Sequence, residues 1–132
     1  LAMGVNNLLE IFNEQYYADL PGGIMEAFGK LFKKNVKVYL YPYLDKQKDI
    51  LLTSKNLQVS DSVHELYKYF LYNGRIQDIL NYNRGYLDSY SRRILERISD
   101  AEEGWEDECP QGVADMIKDR GMFGYKLKYM LE

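Results

Sequence analysis

A chain of 132 residues with 46% hydrophobic and 28% charged residues can bury a core without a disulfide or metal staple. Its formal charge of −3 gives no general attraction to phosphate backbones, and its single cysteine, Cys109, excludes an internal disulfide and a Cys-rich metal site. A lone cysteine suits the reducing cytoplasm, no stretch approaches the roughly 20 apolar residues that span a bilayer, and neither a membrane nor a nucleic acid is expected as partner.

The opening Leu1-Ala2-Met3-Gly4-Val5 is apolar and uncapped, and reads as the end of an upstream element in a domain excised from a longer protein. Leu1 to Met3 as a cloning scar is the other reading. Val5, Leu8, Leu9, Phe12 and Tyr16 then recur on one helical face and predict a helix over residues 6–18. Asp19-Leu20-Pro21-Gly22-Gly23 breaks it. A second helix follows on Ile24, Phe28, Leu31 and Phe32, with Lys30, Lys33 and Lys34 at its C-terminal end, where cations favour the helix dipole, and Asn35 as its stop.

From Val36 the period becomes two: Val36, Val38 and Leu40 alternate with Lys37, Tyr39 and Tyr41, a strand that Pro42 ends or confines to an edge. The polar stretch from Asp45 to Asp49 reads as the turn of a hairpin whose second strand is residues 50–53. Ser62 and Glu65 have capping-box spacing before a helix on Val63, Leu66, Tyr67, Phe70 and Leu71, which Asn73-Gly74 stops. Ile76, Ile79 and Leu80 fit a short helical turn. Leu87, Tyr90, Ile94, Leu95 and Ile98 mark a fourth helix with Arg92, Arg93, Glu96 and Arg97 outside. Six of the nine residues from Asp100 to Glu108 are acidic and surround Trp105. Val113, Met116 and Ile117 form a last helix ending at Gly121, and Leu131-Glu132 reads equally as native chain or tag remnant. The fold class expected is mainly α (α+β), one compact domain over residues 1–132 with about five helices and one small antiparallel hairpin.

Groups able to run a reaction are scarce. His64 is the only histidine and sits at a helix start, where the dipole disfavours imidazolium. Cys109 lies beside Glu108, and a neighbouring carboxylate opposes thiolate formation. The acidic run misses calcium-loop spacing, because Gly104 is fifth rather than sixth from Asp100 and Gln111 stands where the closing Glu belongs. Gly22 and Gly23 before a helix can present N–H groups to an anion, yet no phosphate-loop pattern accompanies them. The cations from Lys30 to Lys37 followed by Tyr39, Tyr41 and Tyr43 interleave charge with rings, as a base-stacking surface does, but the outer face of a hairpin explains the same alternation more simply. No catalytic residue, metal ligand or cofactor is assigned.

Leu9-Glu10-Ile11-Phe12, Tyr16-Tyr17, Asp19-Leu20, Gly22-Gly23-Ile24, Glu26-Ala27-Phe28-Gly29 and Tyr41-Pro42 form one set of motifs with others further on. These are Asn56-Leu57, Leu66-Tyr67, Ser91-Arg92, Trp105-Glu106 and Gly121-Met122-Phe123-Gly124-Tyr125. Over nearly its whole length the chain resembles the C-terminal portion of a bacterial protein family labelled "TonB-dependent receptor" or "nicotinate-nucleotide adenylyltransferase". The turn near Asp45 departs from that pattern by lacking its Pro and Gly. The first label needs a closed barrel of many strands and the second a Rossmann-like sheet with a His-containing phosphate motif, so either activity would reside upstream.

Thirteen tyrosines offer rings that bury a face while their hydroxyls stay wet, which suits an interface and a half-exposed core equally. The leading expectation is therefore a non-catalytic accessory domain docking on the rest of its polypeptide or on a second copy, through Tyr39, Tyr41, Tyr43, Trp105, Phe123 and Tyr125. The alternative is a wall of a nucleotide or small-anion site of an NAD-metabolism-related protein, completed by upstream residues, with Gly22, Gly23, Lys30, Arg92 and Arg93 as anion ligands. A free-standing hydrolase is the least supported reading, for want of a nucleophile and base.

Overall fold

The computed structural model describes residues 1–89 and 91–126. Among these residues the fold is α+β: five α-helices and one antiparallel hairpin, as the pattern predicts, and in addition a three-stranded parallel sheet that the pattern does not. The chain divides into two compact units, Leu1–Asp88 and Ser89–Glu132.

The first unit runs β1 (Ala2–Gly4), α1 (Val5–Ile11), α2 (Gly23–Leu31), β2 (Val38–Tyr41), β3 (Tyr43–Asp45), β4 (Ile50–Leu52), α3 (Asp61–Tyr72) and β5 (Ile76–Asp78). Strands β1, β2 and β5 form one sheet in that order, each neighbour parallel, with Met3 opposite Leu40 and Val38 opposite Ile76. Parallel neighbours need long crossovers, which α1 with α2, and then α3, supply. The sheet corrects two expectations. The strand after Val36 does not pair with residues 50–53; β4 pairs with β3 instead, Tyr43 opposite Leu52. Pro42 is the divider, since it has no N–H for a ladder: residues before it join the parallel sheet and residues after it the hairpin. Ile76 begins a strand rather than a helical turn, because its side chain is buried against the sheet and β2 offers a free edge.

The first helix stops at Ile11 rather than Ala18, because the Asn13 side chain accepts the Gln15 N–H at 3.1 Å and starts a separate 3-10 turn. Tyr16, expected on the buried stripe, is exposed as a result. Beyond Leu31 the last lysines also leave the helix, Lys34 and Asn35 taking φ of 57° and 60°. The Ser62–Glu65 capping box is not formed; Ser62 Oγ donates to Glu14 instead. Asn73-Gly74 ends α3 as expected. With φ at +67°, Gly74 lets its own N–H reach the Leu71 carbonyl and the Arg75 N–H reach that of Phe70, pairing carbonyls the helix end would leave orphaned.

The core of this unit is aromatic at its centre. Phe12 meets Phe28, Tyr67 and Phe70 edge-on, with ring centroids 5.0, 5.1 and 6.0 Å away, the arrangement that ring quadrupoles favour. Val38, Leu40 and Ile76 pack into the same cluster from the sheet. The Arg75 guanidinium donates to the carbonyls of Phe32 and Val36, closing the turn after α2.

The second unit holds α4 (Ser91–Ser99) and α5 (Gln111–Arg120). Leu87, expected on the fourth helix, lies in the first unit, its carbonyl accepting the Leu44 N–H; Tyr90 of that predicted stripe, and Leu131 and Glu132, fall outside the described residues. Ile98, Trp105, Ala114 and Ile117 make this core. Gly121 ends α5 with φ +60°, its N–H directed to the Ile117 and Lys118 carbonyls.

Candidate interaction surface

Alternation along β2 decides which rings are available. Val38 and Leu40 are buried under the helices, while Tyr39 on the opposite face is 43% exposed. Register extends that face across the sheet: Ala2 lies opposite Tyr39, Gly4 opposite Tyr41, and Gln77 opposite Tyr39 on the far strand. Ala2 and Gln77 are exposed, and a Cβ built on Gly4 would meet no atom within 4 Å. Tyr41 is half-buried, edge-on to Tyr82 at 6.4 Å. Small residues on β1 thus leave a shallow floor beside a tyrosine wall on β2. A parallel sheet ordinarily has both faces covered. In the first unit the helices cover one.

The other expected contact residues are distributed differently. Tyr43 is half-buried and packs on the first core. Trp105 is 1% exposed, its ring edge-on to Tyr125 and under the Lys118 ammonium at 5.7 Å, so it is core of the second unit rather than surface. Tyr125 is half-buried in that packing, and Phe123, half exposed, is the one ring of this trio open to a partner.

The expected anion ligands are largely engaged. Glu26 Oε2 accepts the Gly22 N–H at 3.0 Å and its Oε1 the Lys30 ammonium at 2.9 Å. The start of α2 therefore takes its negative charge from its own first turn, which electrostatics favours. The hydrogen bond from Lys30, and then that from Gly22, hold the Glu26 carboxyl below the usual carboxylate range. Gly22 must be glycine here, since a Cβ would stand 2.7 Å from Glu26 Cβ. Gly22, Gly23 and Lys30 belong to the first unit, Arg92 and Arg93 to the second. Arg93 is occupied: it donates to Glu108 Oε2 at 2.7 Å, where Ser89 Oγ also donates at 2.8 Å, while Arg97 reaches Oε1 at 2.6 Å. Within the acidic run Glu102, Glu106 and Glu108 all form ion pairs.

One feature has no counterpart in the sequence expectations. Met25, Phe28 and Gly29 of α2 and Leu66, Tyr69 and Phe70 of α3 line an apolar groove of about 510 Å³. Met25 is 67% and Tyr69 62% exposed. The available signal was Gly29, a glycine inside a helical stretch, whose missing side chain opens the groove.

Among the described residues, no three His, Cys, Asp or Glu side chains gather to hold a metal ion, and no helix is long and apolar enough to cross a membrane. His64 is exposed on α3. Burial, and then the charges of Glu108 and Glu106, push the Cys109 thiol up, away from thiolate. No family model, curated protein or solved structure matches the chain.

Proposed function

We propose that this chain is a non-catalytic accessory domain, working in the reducing cytoplasm, that docks on the remainder of its own polypeptide or on a second copy. The observation that carries the reading is the open side of the parallel sheet, where Ala2, Gly4, Tyr39, Tyr41 and Gln77 lie side by side. Sheets of this kind are stable when layered on both sides, and tyrosine is well suited to a surface that is wet before docking and dry after it. The apolar groove between α2 and α3, and Phe123, add surface of the same character. Nucleic acid has no part in this reading, and neither does the outer-membrane receptor label. Hydrogen exchange on the 132-residue chain and on the longer polypeptide tests it: the amides of β1 and β2 become protected in the longer protein. Unchanged exchange across the sheet and groove, with no self-association of the chain, overturns it.

A second reading draws on a different observation, the common direction of β1, β2 and β5, which brings Gly4, Tyr41 and Asp78 to one edge of the sheet. In open α/β sheets ligands sit beyond the carboxyl ends of the strands. On this reading, which matches the adenylyltransferase label, the domain forms one wall of a nucleotide or small-anion site. Titrating ATP, nicotinate mononucleotide and phosphate while following amide shifts tests it; absence of saturable shifts in both the fragment and the longer protein dismisses it.

A further inference from the structure

Three lysines lie in and just after the turn that leads from α2 into β2. Lys33 and Lys34 lie in the left-handed turn that feeds β2, and Lys37 shares the alternation of Tyr39 and Tyr41. All three are exposed, and none forms an ion pair among the described residues. Of the other lysines in the first unit, Lys30 pairs with Glu26, Lys46 with Asp88 and Lys68 with Glu65, while Lys48 and Lys55, single exposed lysines elsewhere, form no ion pair among the described residues. The face thus couples a small-residue floor over β1 and a wall of Tyr39 and Tyr41 with a cationic approach to β2 that has no counter-charge among the described residues.

We infer that the occupant of this face is an amphipathic helix with an acidic flank, its apolar stripe seated over Ala2 and Gly4 against Tyr39 and Tyr41 and its carboxylates meeting Lys33, Lys34 and Lys37. The inference rests on the docking reading above and specifies the partner. A helix fits because it is the element that lies across parallel sheets, and its apolar stripe can enter where Ala2 and Gly4 leave the floor low. An acidic flank fits because complementary charge at the rim sets orientation and excludes wrong partners. A single-stranded nucleic acid would also meet rings and cations, but stacking on tyrosine does not explain a surface whose opposite half is small and apolar, and the chain carries a net charge of −3.

The test uses the 132-residue chain with three probes: a 16-residue helical peptide of Leu and Ala on one side and Glu on the other, the same peptide with Lys for Glu, and a single-stranded dodecathymidylate. The acidic peptide is expected to shift the amides of Tyr39, Tyr41 and Gln77 saturably and to bind about tenfold more tightly than the basic one, the sum of three exposed charge pairs. Joint replacement K33E/K34E/K37E then inverts that preference. These positions are exposed, and the dispersion of the variant's amide spectrum checks that it folds. Equal affinity for both peptides, shifts confined to other surfaces, no saturable shift with either peptide, or tighter binding of the oligonucleotide each overturns the inference. Protection of β1 and β2 in the longer polypeptide alongside such a result would leave docking standing and remove only the acidic helix.

Discussion

Asp78 takes two hydrogen bonds from a single residue, Ser54: its Oδ1 accepts the Ser54 N–H at 2.8 Å and its Oδ2 the Ser54 hydroxyl at 2.7 Å. Ser54 is 3% exposed, and its carbonyl in turn accepts the Tyr67 hydroxyl at 2.5 Å. One buried serine thereby ties the loop after β4 to the carboxyl end of β5 and to α3. Replacing Asp78 by Ala leaves both a backbone N–H and a hydroxyl unpaired in the interior, which costs about 1–3 kcal/mol each. Asp78→Ala is therefore expected to lower the urea midpoint of the chain clearly, and Ser54→Ala, which keeps the backbone bond, by less.

Burial, reinforced by the negative charge of Asp78, pushes the Tyr67 hydroxyl up to about 12. A tyrosine that ionises later in the folded chain than in the unfolded one contributes stability that is whole below the ordinary value near 10 and disappears as pH climbs through 12. Stability measured by urea titration should fall over that window. In Tyr67→Phe this part of the fall disappears, while stability at neutral pH drops by about 1 kcal/mol for the lost hydrogen bond.

Phe12 is the hub of the first core, 2% exposed and ringed by Phe28, Tyr67 and Phe70. Phe12→Ala is expected to cost roughly 3–5 kcal/mol through lost burial and the cavity left behind. Tyr39→Ser, on the open face, should stay within about 0.5 kcal/mol of the parent. Comparing the two denaturation curves separates a packing residue from a surface residue of the same aromatic class.

Glu108 joins Ser89, Arg93 and Arg97 in the second unit. Burial alone would raise its carboxyl; the hydrogen bonds from Ser89 and Arg93, with the charges of Arg93 and Arg97, prevail and hold it below the usual range. Because its folded value is depressed, its contribution is present above the ordinary glutamate value and is lost as pH falls through the folded one. Glu108→Gln should lower the stability of α4 against hydrogen exchange by about 1–3 kcal/mol at neutral pH, and flatten the acid limb of that profile.

Legibility in the sequence followed the strength of the local signal. The five helices were readable because each carries an apolar stripe, and Asn73-Gly74 and Gly121 marked their ends. The parallel sheet was not. Its strands are three or four residues long, Ala2–Gly4 carries no alternation, and pairing between residues as distant as Met3 and Leu40 leaves no trace in either segment. The two-residue period around Val38 did reveal that Tyr39 and Tyr41 face away from the core. It could not reveal that the neighbours on that face would be Ala2 and Gly4, which depends on the sheet partner. The engagement of Gly22 and Lys30 has a simpler signal: Glu26 stands four residues from each, the spacing of a helical side chain able to reach both.

The left-handed ending of α3 also bears on how the chain ages. An asparagine followed by glycine loses ammonia when the glycine nitrogen attacks the asparagine side-chain carbonyl to close a five-membered imide. Here the Gly74 nitrogen is committed to Leu71 and the Asn73 amide to the Tyr69 carbonyl at 2.8 Å, so the native turn keeps the two groups from reacting. Isoaspartate at position 73 should accumulate only while α3 is unravelled, making that one linkage a chemical clock of the time each molecule has spent unfolded.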